Sequence, residues 1–561
     1  MKAIGNILCS IFAILILNEN AIAQSANTQP YNISNYLLER YEIKSGSLSN
    51  ELNTDIHTYN RAHLVQFFER LDTSNTLYLS GIDRHNFAYI FKDNNELLQN
   101  HDIIENKKPL FKHFYKTPAN FFEVNTKDFH LKINPIINFH AGYQIGDSNA
   151  MRFINQRGAE IRGNIDQKIG FYANITDNQA KFPEFYRLQV INRNAVPNEG
   201  LVKKFKNGIG FDYYNAVGYI NIKATKHINV RFGHDRHFIG NGYRSLLLSD
   251  EGSNNLFLQL NTKIWKLQYQ NIFTELTRQV SFGVPDTLRG KKYGTFHYLS
   301  ANVAKNLQIG LFEGIIFSRN KFFELQYLNP IIFYRSVEHN LGSPDNVMIG
   351  LNAKYNFKQA FQIYGQFALD ELKFGEIRNN RGWWANKFAY QIGAKYIDVA
   401  GVSNLDIQME LNRVRPFMYS HSKTDNNYSS YNQPLAHISG ANFTELLGVI
   451  QYMPHHQLRF IGRGNYIQQG LDSLGANYGS NIFLSNTTRE SNFGNYVGRG
   501  IKTNIINLEL RMIYSWKHNV NFYALAILRK ETSGIKTYNR TDKYFGIGMA
   551  INAEIFKKMA L

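Results

Sequence analysis

The 561 residues carry 62 Lys and Arg against 44 Asp and Glu, a formal net charge of +18, with a single cysteine and 14% aromatic residues. Beyond the first two dozen residues no apolar run approaches the ~20 residues of a membrane-spanning helix, which excludes a helical inner-membrane protein. The aromatic load sits in a chain whose mean hydropathy is a polar -0.36, a pairing that soluble domains rarely show and membrane β-barrels do, because only alternate residues meet lipid.

Residues 1–23 read as a secretory signal peptide: Lys2, an apolar core from Ile7 to Leu17, and small residues Ala21 and Ala23 ahead of cleavage before Gln24. Cys9 lies inside that core rather than after it, so it does not fit a lipoprotein signal. The processed chain would then have no cysteine, which removes disulfides, thiolate metal sites and a cysteine nucleophile together. Lys2 and Glu19 cancel, leaving the basic charge to the exported part. For such a chain the available anionic partners are lipopolysaccharide and acidic surface polysaccharide, and nucleic acid is not expected.

Residues 24–127 place apolar side chains at helical spacing, as in RAHLVQFFERL (Arg61 to Leu71) and PLFKHFYK (Pro109 to Lys116). They are expected to form a small, mostly helical periplasmic domain. From 128 to 561 the period changes to two. In NLELRMIYSW, Leu508, Leu510, Met512, Tyr514 and Trp516 alternate with Asn507, Glu509, Arg511 and Ser515. One face of such a strand wants hydrocarbon and the other water.

Strand centres are expected near 137, 158, 172, 215, 230, 259, 269, 298, 311, 351, 366, 392, 408, 448, 460, 509, 524 and 549. Connections after even-numbered strands are mostly tight, as at Asp166 to Lys168; those after odd-numbered strands are mostly long, including 236–254, 317–345, 373–386, 414–443 and 466–502. That asymmetry predicts an antiparallel outer-membrane β-barrel of about eighteen strands, short turns and both termini facing the periplasm. A soluble propeller or sandwich would treat its two strand ends alike and would not fill its interior with Glu, Arg, Gln and Asn. The last strand is read as KYFGIGMAINAEIF, ending at Phe556.

No phosphate loop, complete dinucleotide fingerprint, HExxH or GxSxG occurs, so no cofactor or catalytic residue is nominated. Three charge- and aromatic-rich blocks fall in long loops expected to face outward. In the first, Arg231, Asp235, Arg236, Tyr243 and Arg244 either hold a sugar or anion through Arg forks or pair with one another to fold the loop into the mouth. His234 and His237 lack a carboxylate or cysteine partner and make a weak metal signal. In the second, Arg335 and Glu338, three apart, either pair or face a ligand. In the third, Arg413, Arg415, His421 and His437 suit an acidic glycan or the phosphates of lipopolysaccharide.

The stretches GNGYRSLLLSD (Gly240 to Asp250), YLNPIIFYRSVE (Tyr327 to Glu338) and YNQPLAHISGANF (Tyr431 to Phe443) resemble the RemB-type gliding-motility proteins of the Bacteroidetes, themselves similar to the Wzi group of capsule-assembly proteins. The resemblance covers most of the chain from about Asp128. It implies an eighteen-stranded outer-membrane barrel with a helical periplasmic part, acting as a lectin that holds capsular polysaccharide. A non-enzymatic polysaccharide binder or anchor is therefore expected. The rival reading is a solute-specific porin whose lumen carries Glu160, Arg162, Glu509 and Arg511, since a barrel this wide conducts unless loops or a helix plug it. An outer-membrane hydrolase with a sparse Ser and His pair has no motif behind it.

Overall fold

The computed structural model describes residues 24–561 apart from 75–76, 99–104, 107–108, 148–149, 206–208, 281–287, 320–321, 332, 343–344, 474 and 556–561. The expected signal peptide lies outside the described residues. Twenty strands join in one antiparallel sheet; two of them, Phe122–Asn125 and Lys203–Phe205, are short extensions paired to a longer neighbour.

The other eighteen close a cylinder. They are β1 (Phe129–Ile145), β2 (Met151–Ile165), β3 (Ile169–Lys181), β4 (Gly210–Lys223), β5 (Ile228–Asp235), β6 (Asn255–Ile264), β7 (Leu267–Thr277), β8 (Lys291–Ala304) and β9 (Leu307–Phe317). There follow β10 (Asn346–Phe357), β11 (Phe361–Glu371), β12 (Lys387–Tyr396), β13 (Leu405–Val414), β14 (Phe443–His455), β15 (Leu458–Leu471), β16 (Ile501–Lys517), β17 (Val520–Ser533) and β18 (Arg540–Ile551). Each expected centre falls inside its own strand. β18 pairs back onto β1, from Ile137 opposite Ile551 to Ile145 opposite Lys543, so no edge is left open.

The period-two pattern sorts the faces as it must. Leu508, Leu510, Met512, Tyr514 and Trp516 are exposed on the outer wall, while Asn507, Glu509 and Arg511 are buried in the lumen. Tight hairpins occupy one end: Asp166 and Gln167 take φ values of 49° and 55°, the mirror-image turn whose twist matches that of paired strands.

The N-terminal part holds three helices, α1 (Ile33–Ser45), α2 (Arg61–Thr73) and α3 (Gly81–Asp93), started by Asn32, Asn60 and a Ser80–Asp83 capping box. Leu38, Tyr41, Leu64, Phe67, Phe68, Phe87 and Ile90 form their common core. Pro109 to Lys116, expected to be helical, is instead a turn: Phe111, Lys112 and Tyr115 have φ of 50°, 61° and 52°. Its aromatics were the misleading signal, because Phe114 stacks on Phe121 at 4.5 Å instead of on a helical neighbour.

This helical part docks into the short-turn end. The Gln24 N–H donates to the Gln167 carbonyl and the Leu48 N–H to the Lys305 carbonyl, both at 2.7 Å. Its acids meet lumen bases: Glu39 with Lys395 at 2.7 Å, Glu42 and Asp55 with Lys354 at 3.3 and 3.5 Å, and Glu96 with Lys132. In return Arg40 reaches Asp398 and Asp406 of the wall.

β18 ends at Ile551, short of the expected Phe556. Asn552 turns the chain at φ 51°, and Ile555 is buried against Leu447, Val449 and Ile461 with its carbonyl accepting from Arg511.

Candidate functional site

The first charged block does not face outward. After β5 the chain runs inward, and its apolar tip, Leu246, Leu247 and Leu248, is buried at the centre of the lumen. The Gly240 N–H donates to the Asp55 carbonyl at 2.8 Å, and the Asn241 amide to the Asp55 carboxylate at 2.8 Å. The loop from one end thus meets the helical part from the other. Gly240 has φ 143°, and a Cβ there would lie 2.2 Å from the Gln366 amide, so only glycine passes.

The 415–442 segment covers this loop: the Tyr419 and Tyr428 hydroxyls donate to the Leu246 and Leu247 carbonyls at 2.9 and 2.7 Å. A third inward segment carries α4 (Glu184–Arg193), whose Phe185 packs among Leu525, Ile527 and Tyr544 of β17 and β18.

Inside this filling the nominated charges have partners within the protein, and one pair, Arg231 with Asp235, is formed between two of them. Arg231 is bound to Asp235 and stacks over Tyr219 at 3.9 Å. Arg236 donates to the Asn198 carbonyl. Arg244 reaches Glu251 at 2.6 Å and Glu445 at 3.7 Å, and Glu445 accepts from His437 at 2.7 Å. Tyr243 sits between the Arg244 and Arg463 guanidinium groups, at 5.4 and 5.8 Å. Buried charges in a low-dielectric interior are held by such partners. His421 is buried and accepts from the Lys423 N–H at 3.1 Å.

His234 and His237 do not come together. His234 is exposed on the same face as Phe232, whereas His237 is half-buried and edge-on to Phe257, where desolvation and the nearby Arg231 hold its imidazole down to about 3. Among the described residues no group of three side chains could hold a metal ion.

Arg335 and Glu338 pair on a short helix, α5 (Tyr334–Leu341). Arg413 is exposed on the outer face of β13. Arg415 has a different part: its guanidinium donates to the carbonyls of Asn386, Trp383 and Asn495, at 2.6, 3.3 and 3.1 Å. It clamps together two long loops, 372–386 and 472–500.

Those loops build a surface that the sequence reading did not single out. The Trp384 N–H donates to the Asn492 carbonyl at 3.0 Å, and the Asn495 N–H to the Gly382 carbonyl at 2.9 Å. Trp383 lies 5.1 Å from Phe493, and Arg489 lies over Trp384 at 4.1 Å. Arg381 covers Phe493 at 4.5 Å, while Phe493 and Tyr496 are exposed. Aromatic faces, guanidinium groups and Asn side chains therefore share one rim position. The available signal was RGWWANK (Arg381 to Lys387), which holds two of the four tryptophans side by side in a loop.

A second concave region, about 1500 Å³, lies at the short-turn end between the helical part and the wall, bordered by Arg61, Lys92, Asp93 and Arg162. Three of these charges are matched to one another: Asp93 binds Arg61 at 2.7 Å and Arg162 at 3.6 Å.

No protein-family model matches this chain, and no curated protein does. Among solved structures, it is similar to Wzi, an outer-membrane protein involved in group 1 capsule assembly in Escherichia coli and described as a carbohydrate-binding β-barrel. The TM-score is 0.56 at 11% identity, over 95% of this chain and 99% of that one. OprD of Pseudomonas aeruginosa matches with a TM-score of 0.40 and 11% identity, over 75% of this chain and 94% of that one. At 11% identity the likeness to Wzi is one of fold alone.

Proposed function

We propose that the chain is a non-enzymatic outer-membrane surface protein whose long-loop face binds or anchors an acidic extracellular or capsular polysaccharide, contributing to capsule assembly or gliding motility. In this reading the helical part and both termini lie in the periplasm. The observation that carries it is the Trp383, Trp384 and Phe493 surface with Arg381 and Arg489 among its rings, at the end of the barrel away from the helical part. Sugar rings stack on aromatic faces, carboxylates take guanidinium forks, and a net charge of +18 favours an anionic polymer. The carbohydrate binding described for Wzi is in keeping with it.

The porin alternative needs a continuous water path. Loop 236–250 and the helical part meet at Asp55 in the lumen, and the expected charge ladder is consumed in pairs: Arg162 with Asp93 and Glu160, Arg511 with Glu509.

The test is retention of polygalacturonate by the purified protein and by Trp383→Ala/Trp384→Ala. Central aromatic anchors contribute about 2 kcal/mol or more, so the double variant is expected to bind at least ~30-fold more weakly, with melting unchanged. Equal retention by both proteins, or none by either, overturns the proposal.

A further inference from the structure

The second block, read from sequence as an outward loop, lies against the outside of the barrel wall. Tyr327, Tyr334 and Val337 form one buried cluster with Tyr293 of β8 and with Ile315 and Phe317 of β9. These strand residues share the outward face with exposed Leu299, Ile309 and Leu311, since side chains alternate along each strand. The strap also covers polar groups on that wall. The Tyr334 hydroxyl bonds His297, the Arg335 N–H donates to Glu313 at 3.3 Å, and the Pro330 carbonyl accepts from Tyr269 and Asn271 at 2.6 and 3.0 Å. Arg319 and Tyr327 tie its ends through Asp345, at 2.7 and 2.8 Å.

The other side of the strap is uncovered and divided: α5 exposes Arg335, Ser336, His339 and Asn340, while the stretch before it exposes large apolar side chains among Gln326 and Asn329. Leu325, Ile331 and Phe333 are 73%, 83% and 78% exposed, with Phe322 and Leu328 also exposed. An element in water would turn such side chains inward and leave Glu313 and His297 to solvent. Here the order is reversed, as it is for a segment with hydrocarbon on its far side. The level agrees. On β8, Lys291 pairs with Glu275 at 2.7 Å to mark the charged rim, Tyr293 lies one outward position below it, and exposed Leu299 and Leu311 continue the apolar belt beneath the strap.

We infer that the described residues of the strap, 322–331 and 333–342, lie in the headgroup–acyl boundary of the long-loop leaflet, the Leu325, Ile331 and Phe333 side chains contacting lipid acyl chains and the polar face of α5 the headgroups. Non-helical backbone is not tolerated at the hydrocarbon centre, which fixes the boundary as its depth. The element anchors and seals a polar stretch of wall, and is not part of the glycan-binding rim. The inference rests on the barrel being membrane-embedded, and the experiment separates the two.

Cys9 is the sole cysteine, so single nitroxide labels are introduced in a Cys9→Ser background at Ile331→Cys, Phe333→Cys, the wall reference Leu311→Cys and the loop reference Asn492→Cys. Accessibility to oxygen and to a water-soluble nickel chelate is read by power saturation in phospholipid nanodiscs. Labels at 331 and 333 are expected to favour oxygen, less strongly than 311, while 492 favours nickel. Nickel preference at 331 and 333 with oxygen preference at 311 overturns the strap inference alone. Low access to both reagents at 331 and 333 overturns it in favour of a protein partner. Nickel preference at 311 as well overturns the membrane reading and the strap with it.

Discussion

Arg40 is the sharpest place to test how the helical part is held. Its side chain is buried and engages Asp406 and Asp398 of the barrel at once, with Asp83 of α3 3.9 Å away. Replacing it with methionine keeps the volume and removes the charge, leaving Asp406 buried without its principal partner. Breaking a buried ion pair from one side costs about 3–5 kcal/mol, so the docked state loses roughly two to four powers of ten against the undocked one. Asp398 retains Lys44 at 3.2 Å, which puts the expectation at the lower end. The assay is amide hydrogen exchange of α1 to α3 in the intact protein, where protection should fall while the strands stay protected. Arg40→Met/Asp406→Asn removes the orphaned charge and should recover part of the loss. Unchanged exchange in Arg40→Met, or equal damage in single and double variants, refutes the reasoning.

Acid should act on the same seam. Burial, then Lys263 and Lys223, holds His63 down to about 4, and burial, then His456 and Lys92, holds His85 to about 4. Both stay neutral when docked and take up protons near 6.5 when released, so docking is complete above pH 6.5 and weakens as pH falls from there toward 4. Protease cleavage of the helical part across that range checks it, and pH-independent cleavage contradicts it. Arg244→Met takes from buried Glu251 its guanidinium partner and should lower the melting temperature in detergent, while Arg413→Ala on the outer face should change stability by less than ~0.5 kcal/mol. Arg415→Ala should free the two loops it clamps and weaken polysaccharide retention without touching sugar. Arg415→Lys should restore little, because one ammonium cannot reach the carbonyls of Asn386, Trp383 and Asn495 together.

The strands were legible because a barrel imposes one rule on every residue: Leu508 and Leu510 outward, Asn507 and Glu509 inward. Loop direction was not legible by the same rule. A polar lumen accepts charged loops as readily as water does, so Arg231 and Arg244 looked like surface residues although their partners Asp235 and Glu251 lie only a few residues further along the chain. The aromatic surface escaped notice because Trp384 and Arg489 are more than a hundred residues apart and meet only through loop packing. The end of β18 was overread because Ala553 and Ile555 continue the alternation after Asn552 has turned the chain.

The proposed function requires a barrel that presents a rim and does not conduct. Single-channel recording of the purified protein in planar bilayers at neutral pH tests it directly. A closed trace is expected from the intact chain, with steps appearing in Arg40→Met as the helical part and the loop at Asp55 lose contact. A steady open channel in the intact chain, blocked by a small solute, would contradict it.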